Sequence, residues 1–220
     1  MVLTVHHLGR SQSERIVWLC EELGLDYELK VYDRSPLLAP PELKKLHPLG
    51  TAPVITDGDV TLGESGAIVE YILVKYGKGR LVVGPEETNY ANYLYWLHFA
   101  NGTLQLSMSR NMLMRMAQLP ADNQALGFAV SRREHAISLV NERLKDNEWL
   151  AGIEFTAADI MNVVSLTTIR LFTPYSLEPY PNVIAYLKRV GAREGYKRAM
   201  AKGDPGFEPV LGVEAPKPLM

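Results

Sequence analysis

Residues 2–24 read VLTVHHLGRSQSERIVWLCEELG, and the change of period inside this stretch decides the fold class. Val2 to His6 is a β-rich apolar run of the kind that forms a buried strand. Gly9 lets the chain turn sharply. Beyond it Ile16, Leu19, Cys20 and Leu23 mark one face of a helix, and Gly24 stops it. A strand, a tight turn and an amphipathic helix in quick succession open an α/β unit.

The pattern continues outward from there. Tyr27 to Tyr32 alternates as a strand does, and Pro40 and Pro41 open a short helix carrying Leu43 and Leu46. Pro53 to Thr56 and Val60 to Leu62 flank Asp57-Gly58-Asp59, a strong hairpin signal. Ser65 is placed to cap a helix with Ile68, Val69, Ile72 and Leu73 on its apolar face, ending near Gly77. The order βαβαββα therefore fills residues 1–78. Gly79, Gly84 and Pro85 mark a linker over 79–88. Only helical periods follow: Asn89 to about Ala117, Ala121 to Asp146, Thr156 to about Phe172, Pro181 to Val190, and Glu194 to Ala201. The expectation is a larger all-α domain over 89–204. A tail over 205–220, with Pro205, Pro209, Pro216 and Pro218, is expected to lie as an irregular strap.

Composition narrows the function. The 220 residues carry 23 basic and 25 acidic side chains, a formal net charge of -2 and a pI near 6.2. Nothing in that balance draws the chain to nucleic acid or an anionic membrane. One cysteine excludes an internal disulfide framework, a CxxC redox pair and a cysteine-rich zinc site, and it suits a reducing compartment. The five histidines (6, 7, 47, 98 and 135) lack metal-ligand spacing, and His6 and His7 point to opposite faces of their strand, so no metal is expected. The opening residues lack a basic segment followed by an apolar run, and no apolar stretch reaches the ~18 residues of a membrane span. The expected location is the cytoplasm.

Three local features carry chemistry. In His6-His7-Leu8-Gly9-Arg10-Ser11-Gln12-Ser13-Glu14-Arg15, Ser11 or Ser13 sits at the start of a helix whose open N–H groups and dipole attract an anion. A plain serine cap accounts for the same residues. In Gly50-Thr51-Ala52-Pro53-Val54-Ile55, a cis bond before Pro53 would turn the N–H and C=O of Ala52 outward to pair with an extended peptide. In Glu64-Ser65 a carboxylate that can hold an ammonium adjoins a hydroxyl and amide that can hold a carboxylate, which suits an α-amino acid head group. A cap beside a surface acid reads equally well.

Together these motifs resemble the cytosolic glutathione transferase family, from Leu3 to about Ala201. The first domain looks like its thioredoxin-like domain. Thr51-Ala52-Pro53 is similar to the stretch holding its cis-proline, and Glu64-Ser65 to its acid–serine pair. Gly152 and Phe155-Thr156-Ala157-Ala158-Asp159-Ile160 resemble its capping box and staple, with Thr156 and Asp159 capping each other and Phe155 packing on Ile160. Tyr180-Pro181-Asn182-Val183 through Tyr186-Leu187 to Arg189-Val190 looks like its late helix, and Glu42 to Gly50 looks like bacterial and fungal members.

The resemblance implies an enzyme that ionises glutathione for attack on an apolar electrophile, a detoxifying activity, and a homodimer. It implies an activating residue just after the first strand. Tyr27 comes too late, and Cys20 lies on the apolar helix face. Ser11, four residues before Arg15 as in serine-type members, is the expected catalytic group, with Ser13 in reserve and His7 as a further candidate for contact with the sulfur. Glutathione's cysteinyl backbone would pair with Ala52 beside Pro53, and its γ-glutamyl head would meet Glu64 and Ser65. Its glycine carboxylate would meet Lys44, with Lys45 and His47 as alternatives. The electrophile is expected between the domains on Asn101, Gln105, Met108 and Met112, a helical stripe that also reads as core or dimer contact. Two other activities share the motifs: a glutathione-dependent peroxidase or isomerase, and a non-catalytic module of the kind found in elongation-factor complexes.

Overall fold

A computed structural model of the chain describes residues 2–35 and 37–219. Backbone contacts divide it into two compact units. The first holds the chain up to Val82 together with Gly191–Pro209; the second holds Val83–Val190 and the segment from Val210.

In the first unit, β1 (Leu3–Leu8) is buried along its whole length, as its apolar run requires. It pairs in parallel with β2 (Tyr27–Tyr32) and antiparallel with β3 (Val54–Asp57), which pairs antiparallel with β4 (Val60–Gly63). The sheet order is β2-β1-β3-β4. The parallel pair needs a crossover, supplied by α1 (Glu14–Leu23). Gly24, at φ 58°, closes α1 in the left-handed conformation that glycine adopts without strain. Helices α2 (Pro41–Lys44) and α3 (Ser65–Tyr76) complete the βαβαββα order.

Asp57 at the end of β3 fixes α3 to the sheet. Its Oδ2 accepts from Lys75 Nζ at 2.7 Å, Tyr71 OH at 2.8 Å and Tyr76 OH at 2.5 Å. Burial pushes this carboxyl up, but the bonds from Lys75, Tyr76 and Tyr71 outweigh it and hold the group at about 2.

The second unit is helical: α4 (Tyr90–Phe99), α5 (Leu106–Met116), α6 (Gln124–Arg143), α7 (Ala157–Leu166) and α8 (Pro181–Ala192). The single helix expected over 89–117 is interrupted by a π-helical segment, Ala100–Gln105, whose wider turns shift the register of everything after it. The helix expected from Thr156 breaks at Thr167 (φ -124°, ψ -96°) and continues only as a 3₁₀ turn, Thr168–Leu171. The capping box is present: Thr156 Oγ1 accepts from Ala158 N–H and Asp159 Oδ2 accepts from Thr156 N–H. Phe155 stacks edge-on against Trp149, 5.0 Å between ring centres. The tail straps this unit through the guanidinium of Arg170, which donates to the carbonyls of Gly212, Val213 and Glu214.

Helix α9 (Glu194–Gly203) departs from the expected domain plan, because it packs in the first unit against α1. Tyr196 meets Trp18 edge-on at 5.0 Å, Arg193 pairs with Glu22 at 2.8 Å, and Arg198 and Lys202 pair with Glu21 at 3.0 and 2.6 Å. The polar face of α1 is thereby committed to α9, and residue 204 is brought to the turn after β1.

Replacing Asp57 by Asn should lower unfolding stability at neutral pH by about 2 kcal/mol, because a buried charged acceptor for one ammonium and two hydroxyl donors is lost. The folded-state carboxyl lies below its unfolded value, so its contribution is complete above the ordinary carboxylate range. It is lost as pH falls from about 4 towards about 2. Acid unfolding curves of the wild type and Asp57→Asn should therefore converge in that window; a constant gap across it would contradict the assignment.

Candidate functional site

The turn from β1 into α1 is held at four points. Arg34 donates from Nε to the Gly9 carbonyl at 3.0 Å and from Nη2 to the Arg10 carbonyl at 2.7 Å. Asp204, just past α9, accepts the Arg10 N–H on Oδ1 at 2.8 Å, and its Oδ2 lies 3.2 Å from His7 Nε2. Arg10 sits at φ 51°, a left-handed conformation that side chains rarely adopt, and these bonds sustain it. The fit leaves no slack. A Cβ on Gly9 would stand 3.2 Å from Asp204 Oδ1, and a Cβ on Gly203 would stand 3.1 Å from His7 Nε2.

Inside this frame lie the two serines. Ser11 Oγ accepts the Ser13 N–H at 3.1 Å and lies 2.7 Å from Ser13 Oγ. Ser13 Oγ accepts the Leu8 N–H at 3.0 Å and lies 2.8 Å from His7 Nδ1. Ser13 does not cap the helix with its side chain; the hydroxyl is turned towards β1 instead. Ser13 and His7 are fully buried, whereas Ser11 keeps 8% of its surface exposed. Of the two serines, Ser11 is the one that keeps any exposed surface. His6, on the other side of the strand, is satisfied by Tyr32 OH at 2.9 Å and Thr56 Oγ1 at 3.2 Å, and burial lowers its pKa.

The Ala52-Pro53 peptide is cis. The Ala52 carbonyl accepts from Gln12 Nε2 at 3.0 Å, so the α1 turn and the stretch before β3 are joined by a side chain. Glu64 takes φ 67°, ψ 113°, and is itself the residue preceding α3. Ser65 is not the cap expected of it: it is the first helical residue, and its hydroxyl accepts from Arg15 Nη1 at 3.1 Å. Arg15 is fully buried, and burial lowers its guanidinium to about 9 against the opposing pull of Glu14. A buried cation behind Ser65 favours an anion at that helix start. Lys44 is exposed on α2, with its stem against Gly50, and His47 lies against Gly63. Cys20 is fully buried and burial drives its thiol far up, which leaves it unreactive.

Ala52 and Ser65 are thus joined through Gln12 and Arg15, whose Nη1 also donates to Gln12 Oε1 at 3.3 Å, with Lys44 beside the Gly50 turn. The stripe in the helical unit is different. Asn101 and Gln105 fall in the π-helical segment and are partly exposed, while Met108 is fully buried. The change from π-helical to α-helical spacing falls between Gln105 and Met108, whereas a stripe read at helical spacing assumes an uninterrupted helix. An open depression of about 570 Å³ on the same unit is lined by Ala91, Leu94, Tyr95, His98, Phe99 and Thr103, and by none of the three. Among the described residues, no cluster of His, Cys, Asp or Glu is arranged for a metal ion. No helix there is long and apolar enough to cross a membrane.

Arg15, Gln12 and Asp204 were not assigned roles by the sequence. A charged residue beside the apolar face of α1 was the available signal for Arg15; Asp204 gave none.

Family models for "Glutathione S-transferase, N-terminal domain" and "Glutathione S-transferase, C-terminal domain" match residues 10–73 and 116–194. The chain is 32% identical over 213 residues to glutathione S-transferase 3 of Schizosaccharomyces pombe, covering 91% of this chain and 88% of that protein. It is 25% identical to a probable elongation factor 1-gamma of Arabidopsis thaliana, covering 99% of this chain but 54% of that protein. A crystal structure of a glutathione S-transferase from Actinobacillus pleuropneumoniae superposes with a TM-score of 0.83 at 34% identity, covering 94% of each chain.

Replacing Gly9 by Ala should push Asp204 off the Arg10 amide and lower stability by about 1–3 kcal/mol. Gly127→Ala, inside α6 with nothing within 4 Å, should be neutral or stabilising. Thermal unfolding compares them; equal midpoints would show that the turn tolerates a displaced carboxylate.

Proposed function

The chain belongs to the cytosolic glutathione transferase family, and on that premise we infer that it binds glutathione at the β1–α1 turn, ionises its thiol and adds the sulfur to an apolar electrophile. The observation that carries this is Ser11: a hydroxyl fixed by the Ser13 amide, on the one serine of the pair that keeps exposed surface, in the turn leading into a ten-residue helix.

The energetics are sufficient. A free thiol has a pKa of ~8.5, and lowering it by about two units takes ~2.7 kcal/mol. A hydroxyl donating to an anion contributes ~1.5–3 kcal/mol. The helix start adds ~0.3–1 kcal/mol, more where partly buried. Ser11 is the catalytic residue of this reading. Ala52 pairs with the cysteinyl backbone, sharing its carbonyl with Gln12. Glu64 holds the α-ammonium of the γ-glutamyl group, and Ser65, with buried Arg15 behind it, holds the α-carboxylate. Lys44 meets the glycine carboxylate. Asn101 and Gln105 contact the electrophile, and Met108 serves only as packing behind them. A cytoplasmic homodimer belongs to the same proposal.

A second reading, a non-catalytic module, is favoured by the match to a probable elongation factor 1-gamma along nearly the whole of this chain. Turnover separates the two. With glutathione and an activated aryl halide, the wild type should turn over, and Ser11→Ala should lose about 10- to 100-fold in kcat/KM. Calorimetry showing no glutathione binding would favour the module and overturn the transferase.

A further inference from the structure

Four side chains form one unbroken series: Ser11 Oγ to Ser13 Oγ at 2.7 Å, Ser13 Oγ to His7 Nδ1 at 2.8 Å, and His7 Nε2 to Asp204 Oδ2 at 3.2 Å. The series runs through Ser13 and His7, both fully buried, between Ser11 and Asp204, each of which keeps 8% of its surface exposed. Hydrogen-bond activation of a thiol at a helix start requires only its first member. The other three are unexplained by it.

The donor directions are constrained. An ionised carboxylate only accepts, so His7 Nε2 carries a proton towards Asp204. With the ring neutral, Nδ1 is bare and accepts the Ser13 hydroxyl, and Ser13 Oγ accepts the Ser11 hydroxyl. Every O–H then points inward, and Ser11 offers a ligand only lone pairs. With the ring doubly protonated, Nδ1–H donates to Ser13, Ser13 donates to Ser11, and the Ser11 hydroxyl points outward. Both arrangements keep the Leu8 N–H on Ser13 Oγ and the Ser13 N–H on Ser11 Oγ, so neither strands a backbone donor. The alternative acceptor for Ser13, the Leu8 carbonyl, is farther away at 3.3 Å.

We propose that His7, backed by Asp204, receives the thiol proton of glutathione through Ser13 and Ser11. This rests on the transferase reading and deepens it. The S–H bond breaks and its electron pair stays on sulfur. The thiol proton passes to Ser11 Oγ, the Ser11 proton to Ser13 Oγ, and the Ser13 proton to His7 Nδ1, where an N–H bond forms. The same shift turns the Ser11 hydroxyl towards the new thiolate. Asp204 faces the imidazolium that results. Among the described residues, Arg34 after β2 and Tyr196 on α9 also feel the Asp204 charge, with Arg10 in the turn beside Arg34 and Glu14 on α1 beside Tyr196. His7 and Asp204 act through the serines and are positioning residues; Ser11 alone touches sulfur.

The relay predicts where the proton goes. Glutathione is titrated calorimetrically into the full chain at neutral pH in buffers of different ionisation heat, while the ultraviolet thiolate band is recorded. S-methylglutathione, which has no thiol, gives the baseline. A thiolate band with close to no net proton released, and a buried histidine ring that NMR shows doubly protonated with glutathione but not with S-methylglutathione, is the expected result. His7→Asn should identify that ring and move the thiolate titration up by about one pH unit, a tenfold loss of thiolate on the acid side. A thiolate band accompanied by about one proton released to buffer, or by an unchanged ring, would overturn the relay and leave the transferase standing. No thiolate band at all would overturn both. If His7→Asn does not fold, the wild-type proton count and ring state still decide the matter.

Discussion

The carboxylate of Asp204 is the contact on which the site depends. It accepts from the Arg10 amide and faces His7, 197 positions away in sequence from the group it holds. Two glycines make the approach possible, because a methyl group on Gly9 or Gly203 would crowd Asp204 or His7. Arg34 secures the turn's carbonyls from the other side. A turn left to itself would not hold a left-handed arginine; here its amides and carbonyls are bonded until only one shape remains. Ser11 owes its position to that shape.

The second half of the site is built on the same economy of means. Arg15 leaves the buried side of α1 and reaches Ser65 at the start of α3, while Asp57 anchors the far half of α3 to the sheet. The helix is thus fixed at both ends by charged groups that are themselves buried. Such groups stabilise only when satisfied, and breaking one leaves a partner exposed to a low dielectric. Under the proposed function, this rigidity suits a surface that presents a hydroxyl, an amide and an acid to separate parts of one small ligand. Glu64, in a strained conformation directly before α3, is held where an unconstrained residue would not remain.

Much of this was legible in the sequence, for local reasons. Period alone gave β1, α1, β2 and the hairpin, because strand and helix spacings are incompatible. Gly24 and the Thr156–Asp159 box are local stop and start signals and appear where expected. What was not legible depends on distance or on register. Ser65 looked like a cap because serine favours caps, and nothing nearby announced the guanidinium that claims its hydroxyl. The Asn101–Met108 stripe assumes a regular helix, and a π segment over Ala100–Gln105 breaks that regularity. Helix α9 followed a run of helices and read as their continuation, whereas its charged face answers that of α1. Ser13 passed for a cap because the histidine that engages it lies on the preceding strand.

The central claim is that the bend after β1 holds a sulfur anion against the Ser11 hydroxyl. A crystal structure of the chain with glutathione bound measures this directly. The account predicts the sulfur within hydrogen-bonding distance of Ser11 Oγ at the start of α1, with Ser13 Oγ behind it and out of contact. A sulfur placed away from this bend, with another group poised over it, would contradict the account.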